Sequence, residues 1–446
     1  MGGYLEYPEY KDSGVEWLDK IPAHWSHVRV KYVGNIRYGL GEPPPKLDDG
    51  LPIIRATDIY RGTIDGSRVQ RVDPDKVPWS RKPELKANDI LVVRSGAYTG
   101  DSAIVPEEWA GSVAGYDMVL TATTADPKYL AINLLSKHVL EGQIYLAKTR
   151  AAQPHLNAEE LGSVVIAFPP LDEQQTIARF LDYKTAQIDA LIAKKETLLA
   201  KLAEKHTALI SQAVTKGLDP TVPLKPSGIE WLGDIPAHWD VAKLLYVSES
   251  IQTGPFGSQL HADEYIEGGT PIVNPADIYE GELLLNPRTT VTDEVVERLS
   301  RHKLQLGDIV LGRRGEIGRA GLVKEENVDW LCGSGSMRIR LRREKLEPTY
   351  LLSQFSIPKV AGYLTLQSVG STMDNLSGSI VGRLHVLLPP LEEQNQISEA
   401  VQQIREEMLI SSSRIQDAIA KLKEYRTALI TNAVTGKIDV RDVKLP

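Results

Sequence analysis

The amino-acid sequence predicts an α+β protein: two tandem-repeated α/β globular domains are separated by two long helices, which form an antiparallel intramolecular coiled coil with pseudo-two-fold symmetry. Three observations predict this class. The chain repeats itself after about 220 residues, each copy ends in a long stretch without Pro or Gly, and apolar residues in these stretches recur every three or four positions. The predicted divisions are a first domain over 1–168, a first helix over 169–217, a second domain over 218–388, and a second helix with a C-terminal tail over 389–446.

The repeat is clearest in one twelve-residue phrase. GVEWLDKIPAHW begins at Gly14, GIEWLGDIPAHW begins at Gly228, and nine of the twelve positions are identical. A fixed order of paired motifs at a nearly constant offset indicates duplication of one large unit, not a solenoid of short repeats. The further pairs are LPIIRATDIYRG (51–62) with TPIVNPADIYEG (270–281), NDILVVRSGAYTG (88–100) with GDIVLGRRGEIG (307–318), PPLDEQ (169–174) with PPLEEQ (389–394), and TALISQAVTKGLD (207–219) with TALITNAVTGKID (427–439).

The globular part of each copy has the composition of short strands and turns. Runs such as DILVV, DIVLG and SVVIAF are rich in β-branched residues, and Gly- and Pro-rich turns separate them. The stretches DPKYLAINLLSKHVLEG and EPTYLLSQFSIPKVAG add some helix. The phrase with two Trp and one His precedes the first strand of both copies, so we expect its aromatic residues to pack where domain meets helix.

The long helices are predicted from their start and stop signals and from their period. Neither Pro nor Gly interrupts the run from Leu171 to about Lys216 or from Leu391 to about Thr435, Pro-Pro precedes each run, and Gly217 and Gly436 follow. A step alternating between four and three residues is typical of coiled coils. The predicted seam consists of Ile177, Leu181, Ile188, Leu198, Leu202 and Leu209 in the first helix and Ile397, Val401, Ile404, Met408, Ile415, Leu422 and Leu429 in the second.

Lysines within the first seam favour packing of one helix on the other. Lys184, Lys195 and Lys205 take the places that Ile404, Ile415 and Tyr425 take in the second helix. Lysine stems can cover apolar surface while their ammonium groups reach water, so a mixed seam suits an intramolecular pair.

Composition restricts the class of protein. The single cysteine, Cys332, excludes an intramolecular disulfide, no run of 18 apolar residues predicts a membrane span, and the N-terminus lacks the pattern of a signal peptide. We therefore expect a cytoplasmic protein. The net charge of −8 argues against a nucleic-acid partner, but residues 298–345 carry twelve Arg and Lys against six Asp and Glu. Such a local basic field can bind phosphate.

Taken in this order and twice over, the motifs resemble those of the specificity (S) subunits of type I restriction-modification enzymes. The resemblance covers nearly the whole chain. The motifs that carry it are the paired G(V/I)EWL..IPAHW openings, GPFGSQ (254–259), the DI..G turns (58–62 and 277–281), the (G/N)DI strands (88–90 and 307–309) and the PPL(D/E)EQ helix starts. One departure is that the first copy has GLGEPPPK (39–46) where the second has GPFGSQLH (254–261).

The resemblance implies a non-catalytic subunit with two target-recognition domains. Each domain would read one half of a bipartite, asymmetric site in double-stranded DNA. The helices would dock two methyltransferase (M) subunits, and restriction (R) subunits would complete the nuclease. S-adenosylmethionine, ATP and Mg²⁺ are expected on these partners, and no cofactor on this chain. If the pair of long helices holds the two domains at a fixed distance, this distance would also set the length of the unread DNA between the two half-sites.

The candidate DNA-binding residues lie in turns and polar loops. Arginine can bond bidentately to guanine as asparagine does to adenine, and glycine lets the backbone approach DNA closely. Arg55 and Asn274 occupy matched positions, as do the Gly turns that Arg94 and Arg313 open. The complete set is Arg55, Arg94, Ser95, Tyr98, Arg150, Gln153, Ser258, Gln259, Asn274, Arg313, Arg314, Gln367 and Ser371.

Catalytic and metal sites find little support in the sequence. NPAD (274–277) lacks the second Pro and the aromatic residue of an amino-methyltransferase loop, and RATD (55–58) stands at its place in the first copy. The acidic motif VDPDK (72–76), a candidate for nuclease chemistry, is not repeated in the second copy. His24 and His238 have no Cys or acidic partner at the spacing of metal ligands. Two alternatives stay open: an S-like subunit of a bifunctional system with a fused methylase and nuclease partner, and a protein-binding scaffold.

Overall fold

The computed structural model describes residues 4–145, 155–256, 259–315, 317–368 and 376–445. The chain forms two compact units. Unit 1 comprises residues 1–196 and 416–446, and unit 2 comprises residues 197–415. Both boundaries fall inside the long helices, so each unit contains one copy of the globular part and a segment of each helix. The predicted division at 168, 217 and 388 stays a prediction.

Unit 1 is built on a four-stranded antiparallel sheet and a three-stranded sheet. Ile90–Val92 is a central strand because its three apolar side chains are all buried, as a strand covered on both faces requires. The four-stranded sheet has the order Ser102–Ile104, Ile90–Val92, Met118–Ala122, Gly34–Tyr38. The three-stranded sheet has the order Val113–Ala114, Lys46–Ile54, Gln70–Val72, and its first pair is parallel.

Unit 2 repeats this topology. Its four-stranded sheet has the order Ser248–Thr253, Ser336–Leu341, Ile309–Gly312, Ala320–Leu322. Its three-stranded sheet has the order Thr290–Val291, Thr270–Val273, Leu331–Cys332. The register is also kept, since Met118 pairs with Val92 in unit 1 and Met337 with Leu311 in unit 2. The duplication read from the sequence is confirmed at the level of strand pairing.

Short strands and helices complete the two units. The remaining strands of unit 1 are Tyr10–Asp12, Lys20–Pro22, Ser26–Arg29, Ile59–Tyr60, Thr63–Ile64 and Val165–Phe168. Those of unit 2 are Leu224–Pro226, Asp234–Pro236, Asp240–Lys243, Ile278–Tyr279, Glu282–Leu283 and His385–Leu388. The α-helices are Pro127–Leu134, Lys137–Val139 and Ala158–Ser163 in unit 1, and Leu244–Val247, Asp293–Arg298, Pro348–Phe355, Pro358–Ser368 and Gly378–Gly382 in unit 2.

The two long helices extend over Leu171–Lys216 and Leu391–Val434, as predicted. Each ends at a glycine with positive φ, +77° at Gly217 and +74° at Gly436, the conformation that closes many helices. Among the described residues, no helix is long and apolar enough to cross a membrane.

Within unit 1 the helices pack antiparallel. Ile177 and Leu181, near the start of the first helix, share a buried cluster with Ala433 and Val434, at the end of the second. Further along the first helix, Asp189 accepts hydrogen bonds from Arg426, which lies earlier in the second helix. In unit 2 the end of the first helix shares a cluster with the start of the second, through Ala213, Val214, Ile397 and Val401. The predicted pseudo-two-fold axis would relate the two units and stays a prediction.

The structure departs from the predicted seam in the first helix. Leu198 and Leu209 are 50% and 38% exposed, whereas Ile177, Leu181 and Ile188 are buried. A strict heptad of 3.5 residues drifts relative to a straight helix of about 3.6 residues per turn, so the predicted phase moves off the buried stripe. The less exposed positions after Ile188 include Ile192, Lys195, Leu199, Leu202, His206, Ile210, Ala213 and Val214.

The second helix follows its predicted seam more closely. Ile397, Val401 and Leu429 are buried. Ile404, Met408, Ile415 and Leu422 are half-buried.

Candidate nucleic-acid interface

Arg94 and Arg313 take matched places in the two units. One residue, Val93, separates Arg94 from the end of the strand Ile90–Val92, and Arg313 comes directly after the strand Ile309–Gly312. The carbonyl of Arg94 accepts the N–H of Leu156 at 2.7 Å, and that of Arg313 accepts the N–H of Leu376 at 3.1 Å. Leu156 and Leu376 lie near the ends of the polar segments KTRAAQPHLN (148–157) and QSVGSTMDNLS (367–377), which the sequence predicts as groove contacts. The structure therefore brings the predicted Arg turn beside the end of the predicted loop in both units.

In unit 1 the Arg94 side chain lies over two tyrosine rings. Its Cζ atom is 4.6 Å from the ring centroid of Tyr38 and 4.2 Å from that of Tyr116, within the range of cation–π attraction. Both rings reach the surface, with 42% and 46% of Tyr38 and Tyr116 exposed. Neither tyrosine is predictable from the sequence, because only the sheet brings residues 38, 94 and 116 together.

Asp117 ties the loops of this surface to one another. Its buried carboxylate accepts the backbone N–H of Arg94 at 3.3 Å and that of Ala56. Burial raises the pKa of Asp117 to about 6, against the lowering effect of these hydrogen bonds and of the Arg94 charge. Three loops that follow or precede sheet strands therefore meet at one carboxylate.

Unit 2 holds the matched arginine in another way. The Nε–H of Arg313 donates to the carbonyl of Leu376 at 2.7 Å, and its backbone N–H donates to the carbonyl of Gly335 at 2.9 Å. Burial lowers the pKa of the Arg313 guanidinium. Aligning Met118 with Met337 puts Gly335 and Ser336 at the places of Tyr116 and Asp117, so unit 2 lacks that ring and that carboxylate.

Arg55 and Asn274, the second matched pair, cap turns. The guanidinium of Arg55 donates to Asp58 at 3.2 and 3.0 Å and also to the carbonyl of Arg68. The backbone N–H of Asn274 donates to Asp277 at 2.9 Å, in the same capping role as the Arg55 N–H has with Asp58. The DI..G aspartates thus organise these turns. Arg55 uses its donors within the protein, which leaves fewer for DNA than the prediction supposed.

The other predicted contact residues are dispersed. Ser95 pairs with His155 at an isolated β-bridge beside Arg94, and Arg314 is exposed beside Arg313. Tyr98 lines a cavity of about 360 Å³ together with Arg426, Thr427 and Ile430 of the second long helix.

Two further candidates lie in unit 2. The carbonyl of Gln259 accepts a hydrogen bond from Arg298, and Gln367 is exposed on the helix Pro358–Ser368. Arg150, Gln153, Ser258 and Ser371 lie outside the described residues.

The repeated phrase forms the joint between domain and helix through its His and its second Trp, whereas the first Trp of the first copy, Trp17, is 45% exposed. Trp25 and Trp239 are fully buried, and His24 and His238 lie 2.9 and 2.7 Å from the glutamates of the PPL(D/E)EQ motifs, Glu173 and Glu393. The next residue of each motif, Gln174 or Gln394, bonds the carbonyl of the Pro five residues earlier and a backbone N–H of the domain. Among the described residues, no cluster of three or more His, Cys, Asp or Glu could hold a metal ion.

Two tandem units of one fold, each with an arginine-bearing loop surface and each attached to the same pair of long helices, define a class of two-domain, helix-linked proteins. The family model described as the type I restriction modification DNA specificity domain matches residues 25–200 and 236–421, and the chain belongs to this family.

Curated relatives match along the whole chain. The specificity subunit of the type I restriction enzyme EcoKI from Escherichia coli strain K12 is 26% identical over 438 residues, which cover 94% of this chain and 90% of the relative. The EcoBI specificity subunit from Escherichia coli is 23% identical, covering 96% and 90%. The putative MjaX specificity subunit from Methanocaldococcus jannaschii is 25% identical, covering 95% and 96%.

Solved structures share the fold. A chain from work on the complex assembly and conformational transition of the type I R-M system has a TM-score of 0.72 at 17% identity, covering 93% of this chain and 98% of that one. The HsdS subunit from Thermoanaerobacter tengcongensis has a TM-score of 0.54 at 18% identity, covering 94% and 98%. At these identities the likeness concerns the fold alone.

Proposed function

We propose that this chain is the DNA sequence-specificity subunit of a type I restriction-modification system. Each unit reads one half of a bipartite, asymmetric site in double-stranded DNA. The observation that carries the proposal is the matched arginine: Arg94 and Arg313 follow equivalent strands but have different neighbours, two tyrosines in one unit and a backbone carbonyl in the other. Equivalent scaffolds with different reading surfaces suit two different half-sites.

The long helices set the spacer between the half-sites and dock the partner subunits. Apolar residues on the outer faces of both helices support docking, since Leu191 and Leu198 are 48% and 50% exposed and Leu409 and Ile410 are 59% and 54% exposed. Two methyltransferase subunits bind here and restriction subunits join them. S-adenosylmethionine, ATP and Mg²⁺ belong to those partners, and this chain supplies recognition without a catalytic residue of its own.

Methylome sequencing tests the proposal. The chain is expressed with the methyltransferase subunit from its own gene neighbourhood in cells that lack other adenine methylation. The expected result is one new methylated motif, bipartite and asymmetric, with a fixed spacer. The methyltransferase expressed alone is the control. No new motif with an active partner would contradict DNA reading and favour the scaffold alternative, and a single neighbouring gene encoding methylase and nuclease together would favour the fused system.

A further inference from the structure

We infer that Arg94 reads a guanine in the half-site of unit 1, and that Tyr38 and Tyr116 are positioning residues that hold its guanidinium for this contact. The inference rests on the proposed function and deepens it, because it names a base, a reading residue and the device that orients it. Arg313 is not held by such a pair of tyrosine rings and therefore provides a comparison within the same protein.

The first step is the chemistry of the side chain. A guanidinium is planar and presents its N–H donors in a fixed fork, which matches the O6 and N7 acceptors of guanine in the major groove. Arg94 lies at the end of a central strand, on a loop surface, and it is half-buried. Unlike that of Arg55, its guanidinium donates to no carboxylate among the described residues, and the nearby Asp117 accepts its backbone N–H.

The second step is orientation. A free arginine side chain loses considerable rotamer freedom when it binds, and holding it in advance lowers that loss. The rings of Tyr38 and Tyr116 attract the guanidinium through their π faces, at 4.6 and 4.2 Å, and leave its N–H edges free of the rings. The Tyr38 hydroxyl is itself fixed, since it accepts the backbone N–H of Ala158 at 2.9 Å.

The third step is an unpaired donor. The Nε–H of Arg94 is buried and has no hydrogen-bond partner among the described residues, and its terminal nitrogen is 3.3 Å from Nε2 of His155. In Arg313 the same Nε–H donates to the carbonyl of Leu376. Arg94 is therefore held by the tyrosine rings and not by a backbone carbonyl. Because its Nε–H is buried, a guanine would be contacted by the terminal N–H groups of Arg94.

The test uses the complex of the full chain with its methyltransferase partner, and duplexes carrying the methylated motif. Each guanine of both half-sites is replaced in turn by 7-deazaguanine, which removes the N7 acceptor. We expect one guanine at which the replacement weakens binding about 10-fold, the value of one hydrogen bond to a charged group, since O6 remains as an acceptor. The Arg94→Gln complex should bind both duplexes within about twofold of each other at that position, while discrimination in the other half-site stays unchanged.

The tyrosines are tested by the same measurement, the ratio of the affinities for the guanine and 7-deazaguanine duplexes. A loss of general stability would lower this ratio at every guanine alike. Tyr116→Leu should reduce the ratio at the Arg94 guanine alone, and Tyr116→Phe, which keeps the ring, should restore it. The inference is overturned if the methylated motif lacks guanine, if Arg94→Gln keeps full discrimination, or if all positions lose discrimination together. Absence of any bipartite motif would instead overturn the proposed function, so the two failures are distinguishable.

Discussion

The two units keep one scaffold and rebuild the contacts upon it, as the aspartate of each (G/N)DI motif demonstrates. Asp89 in unit 1 and Asp308 in unit 2 are both 2% exposed, and both accept a backbone N–H from three residues earlier. Asp89 pairs at 2.8 Å with Arg37, on the edge strand Gly34–Tyr38. Asp308 pairs at 2.7 Å with Arg340, on the central strand Ser336–Leu341.

This difference shows that a buried carboxylate needs a cation near it, but that the strand that carries the cation can change. Aligned with Arg340, unit 1 has Thr121, whose hydroxyl donates to Asp89 and accepts from Arg37. The compensation therefore stays local to the sheet, while the loops at the strand ends are free to differ. Such independence of scaffold and surface allows one fold to serve two half-sites.

The largest expected effect comes from removing these carboxylates. Asp89→Ala and Asp308→Ala each leave a partly buried arginine without its partner, which typically costs about 3–5 kcal/mol. Each substitution should destabilise its own unit, measured as faster hydrogen exchange of the strand Ile90–Val92 or Ile309–Gly312. Equal acceleration in both units after either substitution would show that the units do not unfold separately.

A second effect distinguishes the units by pH. Because the pKa of Asp117 is raised from 3.8 to about 6, the folded state binds more protons than the unfolded state between these values. The contribution of Asp117 to the free energy of unfolding therefore falls as pH rises through about 4 to 6. Asp117→Asn should remove this decrease in stability. The free energy of unfolding of the variant, minus that of the wild type, should therefore be higher at pH 7 than at pH 4 by an amount on the order of 2 kcal/mol.

Unit 2 provides the control for this pH effect, since Ser336 stands at the matched place. Buried His138 and His302, with pKa values lowered to about 4, change the stability of the units in the opposite direction over the same range. The comparison must therefore be made between wild-type and Asp117→Asn unfolding curves, not within one curve. A difference that does not change between pH 4 and 7 would contradict the assigned cause.

The long helices and the duplication could be predicted because local sequence determines them. The Pro-Pro starts, the Gly217 and Gly436 ends and the uninterrupted runs between them need no tertiary information. The phase of the seam could not be extended reliably to Leu198 and Leu209. It depends on how far the helices supercoil, and a difference of one tenth of a residue per turn accumulates over about ten turns.

The reading surface was only partly predictable for a related reason. Arg94 and Arg313 stand out because both copies keep an arginine after the same strand. Tyr38 and Tyr116 do not, since strand pairing alone brings them to Arg94. Arg55 is a different case, and its predicted DNA contact stays a prediction. Its type and matched position suggested DNA contact, but its donors bond Asp58, three residues away, a local pairing that the sequence permits without requiring.

The joint between domain and helix gives a third, smaller comparison. The Nε1–H of Trp239 donates to Glu393 at 3.1 Å, while the Nε1–H of Trp25 is buried and has no partner among the described residues. Trp239→Phe loses a hydrogen bond to a charged group, worth about 1.5–3 kcal/mol, whereas Trp25→Phe loses only packing. Trp239→Phe should thus destabilise unit 2 more than Trp25→Phe destabilises unit 1, measured by hydrogen exchange. Equal losses would show that Glu393 gains nothing from the indole.

The smallest effect concerns two segments of unit 1 that are distant in sequence and adjacent in space. The N–H of Asp439 donates to the carbonyl of Leu5 at 2.7 Å, the hydroxyl of Tyr10 donates to the carbonyl of Gly436 at 3.0 Å, and the guanidinium of Arg441 lies 4.9 Å from the ring of Tyr7. At the matched place in unit 2, the chain runs directly from Gly217 to the repeated phrase at Gly228.

Arg441→Ala should therefore loosen the segment after Gly436 by about 0.5–1 kcal/mol, since the lost contacts are a half-exposed cation–π pair and an exposed ion pair with Asp439. Hydrogen exchange of residues 437–445 measures the change. Thr221→Ala is the matched control in unit 2, where a continuous backbone keeps the segment in place. Loosening that spreads to the helix end at Val434 would indicate that Arg441 supports the joint itself, through its approach of 3.9 Å to Glu173, and not only the segment that carries it.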